Sequence, residues 1–357
     1  MAYISFQPND YFNTKLWTGN STNSTAITGV GFQPDMTWIK NRSQTDNHAI
    51  FDAIRGATYR IYPNATDAQI QATNSLASFD SDGFTLNDGG DANGNGENIV
   101  GWNWKANGTG SANTDGTISS TVSASTTSGM SIVKYTGTGA NATVGHGLGV
   151  APKMIIVKNL DSGLGYEWMI GHSDLASGET GFSANWYFNG FGTGIRNQNA
   201  TASWNSTSPT NSVFSLHSGA TYMNASGEAN IAYCFAEKKG FSKFGSYVGN
   251  GEPAGDAPFI YTGFKPAFLL IKSSSYAGQH WSITDNRRLG YNGSSAWLKA
   301  DSSGVELTNL VNPDLLSNGF KLQNNNDIYN KNGQSYIFMA FAEEPLVSSN
   351  GVPATAR

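Results

Sequence analysis

The chain predicts an all-β protein of three tandem, related antiparallel β-sandwich (jelly-roll-like) domains. Three observations predict it. A ten-residue motif occurs three times, as Gly31-Phe32-Gln33-Pro34-Asp35-Met36-Thr37-Trp38-Ile39-Lys40, at Gly149 to Lys158, and at Gly263 to Lys272. A strand with strict period-two alternation also occurs three times, and the composition is rich in turn formers and aromatics but poor in charge. Repeats at a fixed spacing are the signature of a duplicated unit.

The motif reads as a turn followed by a strand. Glycine permits positive φ, and proline fixes its own φ and lacks a donor. The apolar run after it is short and partly β-branched, which marks a strand buried on both faces. Ahead of each copy lies an aromatic-then-glycine turn, at Trp17-Thr18-Gly19, Tyr135-Thr136-Gly137 and Tyr247-Val248-Gly249. After the core strand the first and third copies carry Asp-x-x-Arg, at Asp52 and Arg55 and at Asp285 and Arg288, while His172 stands at that place in the second copy with no Arg following. A short strand follows at 82–86, 212–216 and 318–322. The last element begins after Gly96, Gly227 or Gly333 and alternates strictly. Val100, Trp102 and Trp104 share one face, matched by Ile231, Tyr233 and Phe235 and by Ile337, Met339 and Phe341. Period two sends one face into a core, and three large side chains per strand contribute roughly 5–9 kcal/mol before entropy.

These repeats place the domains at 1–107, with an N-terminal attachment segment, at 130–240 and at 241–347. Residues 108–129 form a Gly/Ser/Thr-rich linker, for which Asn113-Thr114-Asp115-Gly116 and the β-branched spacing after it predict an ordered hairpin or extended arm. The second and third units abut at Lys239-Gly240-Phe241 with almost no linker. Residues 348–357 read as a frayed tail. Tyr62 to Leu76 is the one stretch with room for a short helix.

Composition excludes several function classes. Charged residues are 13% of the chain, about half the usual share. The net charge of −5 offers no basic stripe for nucleic acid. The single cysteine, Cys234, permits no intrachain disulfide. The first residues lack a signal-peptide pattern and no segment has the length of a membrane span. The expectation is a product of the cytoplasm with the surface of an extracellular protein, and sequons such as Asn20 and Asn141 reflect the abundance of Asn, Ser and Thr.

Candidate chemistry is sparse. Lys40 with Asp52 and Arg55, and Lys272 with Asp285 and Arg288, recur at similar spacing. Such a cluster suits a sugar acid or a phosphate, but recurrence within one chain favours a salt-bridge network that pins the strand end. Asp91-Ala92-Asn93-Gly94-Asn95-Gly96 imitates the start of a calcium loop, yet Trp102 stands where the bidentate Glu is required, so a hairpin turn is preferred. His48, His146, His172, His217 and His280 show no metal spacing, and no nucleophile elbow or P-loop is present. No catalytic residue, metal or cofactor is therefore assigned. The candidate binding residues are the loop aromatics Trp186, Tyr187, Phe191, Trp204, Tyr276 and Tyr291, with Phe188 and His280 beside them. Their faces stack on sugars, and covering the ends of the sandwiches is the equal alternative.

The assembled motifs resemble a family of bacteriophage virion proteins, common in phages of marine bacteria and known as tail-fibre or structural proteins. The residues that carry the resemblance are Tyr3-Ile4-Ser5-Phe6-Gln7-Pro8, Phe12-Asn13-Thr14-Lys15, Gly31-Phe32-Gln33-Pro34-Asp35, Trp102-Asn103-Trp104-Lys105, Gly145-His146-Gly147-Leu148-Gly149, Phe241-Ser242-Lys243-Phe244-Gly245-Ser246-Tyr247, Leu316-Ser317-Asn318-Gly319-Phe320 and Ala340-Phe341-Ala342-Glu343. The resemblance covers nearly the whole chain. It implies a virion surface part and carries over no catalytic motif. The expected function is a non-enzymatic tail fibre or appendage in host attachment; the alternatives are a capsid-bound fibre or head decoration protein, and a glycan-binding module or depolymerase. The expected partners are other virion proteins at the N-terminal segment, further copies of the chain in a trimer, and a host surface glycan or receptor.

Overall fold

The computed structural model describes residues 7–161, 165–176, 180–201, 203–288, 292–293, 296–308 and 310–342. The first six residues of the N-terminal segment, Tyr291, and the tail from Glu343 onward lie outside them.

The first unit contains β1 (Phe12–Thr18), β2 (Thr25–Thr28), β3 (Met36–Asn41), β4 (Ala49–Asp52), β5 (Tyr59–Ile61), β6 (Ile70–Gln71), β7 (Leu76–Asp80), β8 (Gly83–Leu86), the one-turn helix α1 (Gly90–Asn93) and β9 (Asn98–Trp104). Next come β10 (Ser111–Asn113) and β11 (Ser120–Ser125). The second unit continues with β12 (Met130–Thr136), β13 (Ala142–Gly145), β14 (Met154–Asn159), β15 (Met169–His172), β16 (Trp186–Asn189), β17 (Asn197–Gln198), β18 (Val213–Leu216), α2 (Thr221–Asn224) and β19 (Ala229–Phe235). The third has β20 (Ser242–Val248), β21 (Phe259–Tyr261), β22 (Phe268–Ser273), β23 (Ser282–Asp285), β24 (Leu298–Lys299), β25 (Asp314–Leu316), β26 (Gly319–Lys321), α3 (Asp327–Asn330) and β27 (Ser335–Phe341).

The same strand order recurs. The major sheets run β1-β9-β3-β4-β5-β6, β10-β11-β12-β19-β14-β15-β16-β17 and β20-β27-β22-β23-β24. The minor sheets run β2-β8-β7, β13-β18 and β21-β26-β25. In each unit the last strand lies between the first and third, and the ladders are antiparallel. This part follows a jelly roll; the rest departs from it, because the third, fourth and fifth strands form a simple meander.

The proline-led motif becomes an inner strand of each major sheet. Gly31, Gly149 and Gly263 take φ of 88°, 71° and 83°, the left-handed region that glycine tolerates. All six residues of β3, β14 and β22 are buried. Thr37 and Ile39 face the minor sheet of their own unit, where Ile27, Phe51, Phe84 and Leu86 complete a sandwich core. Met36 and Trp38 face the other way, into a core shared by all three units. Among the described residues there are three outer cores and one inner core common to the units.

That inner core is layered by register. In one layer Met36, Met154 and Phe268 stand opposite Trp104, Phe235 and Phe341. In the next, Trp38, Ile156 and Leu270 stand opposite Trp102, Tyr233 and Met339. In the third, Lys40, Lys158 and Lys272 stand opposite Val100, Ile231 and Ile337. Phe341 joins the units, with ring centroids 5.4 Å from Phe12, 5.8 Å from Trp104 and 6.0 Å from Phe235.

Residues 108–129 are the ordered hairpin: β10 and β11 pair and extend the second major sheet beside β12. The stretch from Tyr62 to Leu76 holds β6 and turns but no helix.

Candidate functional site

The recurring Asp-x-x-Arg pairs sit where one unit meets the next. Asp52 closes β4, and Arg55 folds back so that its Nε donates to Asp52 Oδ2 at 2.5 Å and its Nη2 to Ile50 O at 2.9 Å. Tyr233 of the second unit donates its hydroxyl to the same Asp52 Oδ2 at 2.7 Å. Asp285 and Arg288 repeat this geometry at 2.6 Å, and Trp102 Nε1 of the first unit donates to Asp285 Oδ2 at 3.0 Å. At the remaining junction Met339 occupies the place of Trp102 and Tyr233. Methionine has no hydrogen to donate, and there the carboxylate is replaced by His172, whose Nε2 lies 3.4 Å from Phe338 O. A buried ion pair needs every lone pair satisfied, so the donor and the pair are present together or absent together.

The contacts form a closed cycle. The loop after the fifth strand of each unit donates a backbone hydrogen bond to the end of the third strand of a neighbour: Gln69 N to Leu160 O at 3.0 Å, Arg196 N to Ser274 O at 3.1 Å, and Glu306 N to Arg42 O at 3.0 Å. Arg42 and Glu306 add a salt bridge at 2.6 Å, and Glu306 also meets Arg288 at 2.8 Å. Trp168 Nε1 donates to Tyr62 O at 3.0 Å, and at the equivalent place His48 Nε2 lies 3.0 Å from Lys299 O.

The lysines do not join the Asp–Arg pairs, which corrects the expected cluster. In the antiparallel hairpin Asp52 stands opposite Met36, four residues from Lys40 and so about 13 Å along the strand. Lys40 Nζ donates to Asn41 O at 2.6 Å and Ser303 O at 3.0 Å. Lys158 Nζ donates to Tyr166 O at 2.6 Å and Thr66 O at 2.9 Å, and Lys272 Nζ to Gln279 O. Burial lowers each ammonium to about 8.

Burial also sets the charges at the junctions. It raises the Tyr233 phenol well above its usual range, aided by Asp52. Burial opposes ionisation of Asp285, but the Arg288 guanidinium and its hydrogen bonds outweigh it and hold Asp285 below the usual carboxylate range. His48 is pushed well below 6.5 by burial and by Lys40, and His172 falls to about 4 by burial. A histidine held below its unfolded value stabilises the fold fully above pH 6.5 and loses that contribution as the pH falls toward the folded value. Denaturant titrations are therefore expected to show stability dropping from pH 6.5 toward 4, by up to roughly 1.4 kcal/mol per pH unit for each histidine. His172→Gln should flatten that slope; an unchanged slope would remove His172 from the account.

An open polar cleft of about 740 Å³ lies on the first unit, lined by Asp46, Arg60, Tyr62, Asp91 and Glu97, with Ser303 of the third unit at its edge. Asn41, fully buried, donates Nδ2 to Asp46 Oδ2 at 2.8 Å and to Glu97 Oε2 at 2.5 Å. Arg60 pairs with Asp91 and lies 5.2 Å over the Tyr62 ring. Ser75 donates to Asp91 Oδ1 at 2.8 Å.

Within the calcium-like stretch, the Asn93 amide is spent on backbone carbonyls of its own loops. Its Nδ2 donates to Thr22 O at 3.0 Å and Asn87 O at 2.9 Å. Asn224 and Asn330 hold the corresponding loops in the same way. The shared Asn is thus a loop clamp. No group of three or more His, Cys, Asp or Glu able to hold a metal occurs among the described residues.

The loop aromatics do not gather. Phe191 lies in the inner core against Trp38, Trp168 and Trp281. Trp204 is buried, with Nε1 on Trp186 O at 3.2 Å, and Tyr187 is buried beside it in the second outer core. Phe188 stacks edge-on against Trp281 at 5.0 Å. Trp186 is half-buried under the Arg196 guanidinium at 4.4 Å. Tyr276 is half-buried, with Lys331 Nζ 4.0 Å from its ring centre. Most of these rings cover the units and their junctions. The cleft leaves one signal in the sequence. By register Arg60 is equivalent to Tyr187 and Trp297, so one repeat carries charge where the other two carry aromatics.

Together these features define a class: an all-β protein in which three sandwich units of one chain close a cyclic pseudo-threefold ring around a common core. The chain belongs to the family described as Domain of unknown function (DUF7483), whose model matches residues 7–345. That single match runs across all three units. No curated protein and no solved structure matches the chain. No helix among the described residues is long and apolar enough to cross a membrane.

Proposed function

We propose that the protein is a non-enzymatic structural part of a bacteriophage particle, displayed on its surface as a tail fibre or similar appendage that meets the host. The virion part of this reading rests on the sequence resemblance, and one observation supports its non-enzymatic part: the recurring charged residues are spent on junctions between units, where Asp52, Arg55, Asp285 and Arg288 bind Tyr233, Trp102 and Glu306 instead of an open pocket. A catalytic site would hold such groups free for substrate. The pseudo-threefold ring supports a second reading as well, a head decoration seated on a threefold position of the shell. Because the ring closes within one chain, the trimer expected for a fibre is not needed to bury these faces.

Gold-labelled antibody on intact particles of the encoding phage tests the proposal. Label at the tail tip is the expected result, label on the head selects the second reading, and particles free of the protein overturn both. Incubation with host polysaccharide should leave its chain length unchanged; shortening would show an enzyme.

A further inference from the structure

The three units act as internal controls for one another. A residue that recurs at equivalent positions serves the architecture. Glu97 is such a residue in part: Glu228 takes its place in the second unit and accepts from Asn159 Nδ2 at 2.6 Å. The Arg60–Asp91 pair is different. Its equivalents are Tyr187 with Tyr222, and Trp297 with Ile328, which pack into the outer cores of their units. Among the described residues the first unit carries an ion pair where the other two carry an apolar cover, and this pair lines the 740 Å³ cleft. Asp46 comes from the loop after β3 and enters the same cleft.

Its volume lies within the ~300–1,000 Å³ usual for small-ligand sites. The lining mixes acceptors with donors. Asp46 and Glu97 converge on the one buried amide of Asn41, so two carboxylates are fixed side by side before any ligand arrives. Preordered acceptors bind without the entropy loss of immobilising them. Asp46, Asp91 and Glu97 outnumber Arg60 and the buried Lys40 ammonium, which is held on Gln44 O and Ser303 O at the cleft wall, so the cleft disfavours anions. Adjacent hydroxyls on a sugar ring match two adjacent carboxylates, since each hydroxyl donates to one of them. The Arg60 guanidinium supplies donors for the oxygens that remain.

We propose that this cleft binds a neutral saccharide through two neighbouring hydroxyls donated to Asp46 and Glu97. The inference deepens the host-facing reading and rests on it for its biological meaning, but its test does not depend on particles. The full chain is titrated calorimetrically with neutral gluco-, galacto- and manno-trisaccharides, with a trigalacturonate, and with spermidine as a cationic probe. At least one neutral trisaccharide is expected to bind. Asp46→Asn, which keeps the size of the side chain, should weaken that binding about tenfold or more, as loss of a charged acceptor does. Glu228→Gln, at the equivalent place in the second unit, should leave it unchanged. Absence of binding by every neutral trisaccharide, binding of only the uronate or the amine, or equal affinity in Asp46→Asn would each overturn the proposal. Failure here with label still on particles would sink the saccharide site and spare the virion reading; binding without label would do the reverse.

Discussion

Arg55→Leu is expected to lower folding stability by roughly 3–5 kcal/mol, the usual consequence of stripping one partner from a buried ion pair. The variant leaves Asp52 fully buried with only the Tyr233 hydroxyl and its own loop for company. The protein itself shows how to repair it. The junction between the second and third units has His172, Leu175 and Met339 where the junction between the first and second has Asp52, Arg55 and Tyr233. Transplanting that solution, as Asp52→His with Arg55→Leu and Tyr233→Met, should recover most of the loss. The triple variant would then be more stable than the single one, a strong departure from additivity between contacting residues. Urea titration of the two variants checks this. A triple variant weaker than Arg55→Leu would mean that the His–Met junction depends on surroundings the first junction lacks.

Phe341→Ala is the second large effect. Its ring touches Phe12 and Trp104 of the first unit, Phe235 of the second, and Phe241, Phe244 and Phe268 of the third. Removing a buried phenyl group costs roughly 3–5 kcal/mol, because the cavity collapses only in part. Phe79, half-buried at the margin of the first outer core, offers the contrast. Phe79→Ala should cost clearly less, since its transfer term is smaller and solvent can fill the space.

Much of the fold was legible in the sequence. The turn-and-strand motif and the alternation of β9, β19 and β27 follow from side-chain periodicity and from glycine and proline chemistry, which are local. What covers a strand is not local. The run Met154-Ile155-Ile156-Val157 announces burial on both faces but not that one face meets another unit. The same blindness moved the lysines. Lys40 and Asp52 are close in sequence, and only the hairpin register sets them at opposite ends of β3. The candidate site was legible least. Asp46, Arg60 and Asp91 are ordinary surface types one at a time, and their meaning appears when Arg60 is set beside Tyr187 and Trp297. The loop aromatics stand in polar Gly/Asn-rich stretches, where stacking on a sugar and covering a sandwich end look alike, yet Phe191 and Trp204 are buried by neighbours distant in the chain.

Three sandwich units around a shared core should open as one cooperative body, and hydrogen exchange of Phe341→Ala under native conditions reads this out. Amides of β3 and β14, in the other two units, are expected to lose protection along with those of β22, all by the same free energy. Loss confined to β20–β27, with the other sheets as protected as before, would show three separate domains and contradict it.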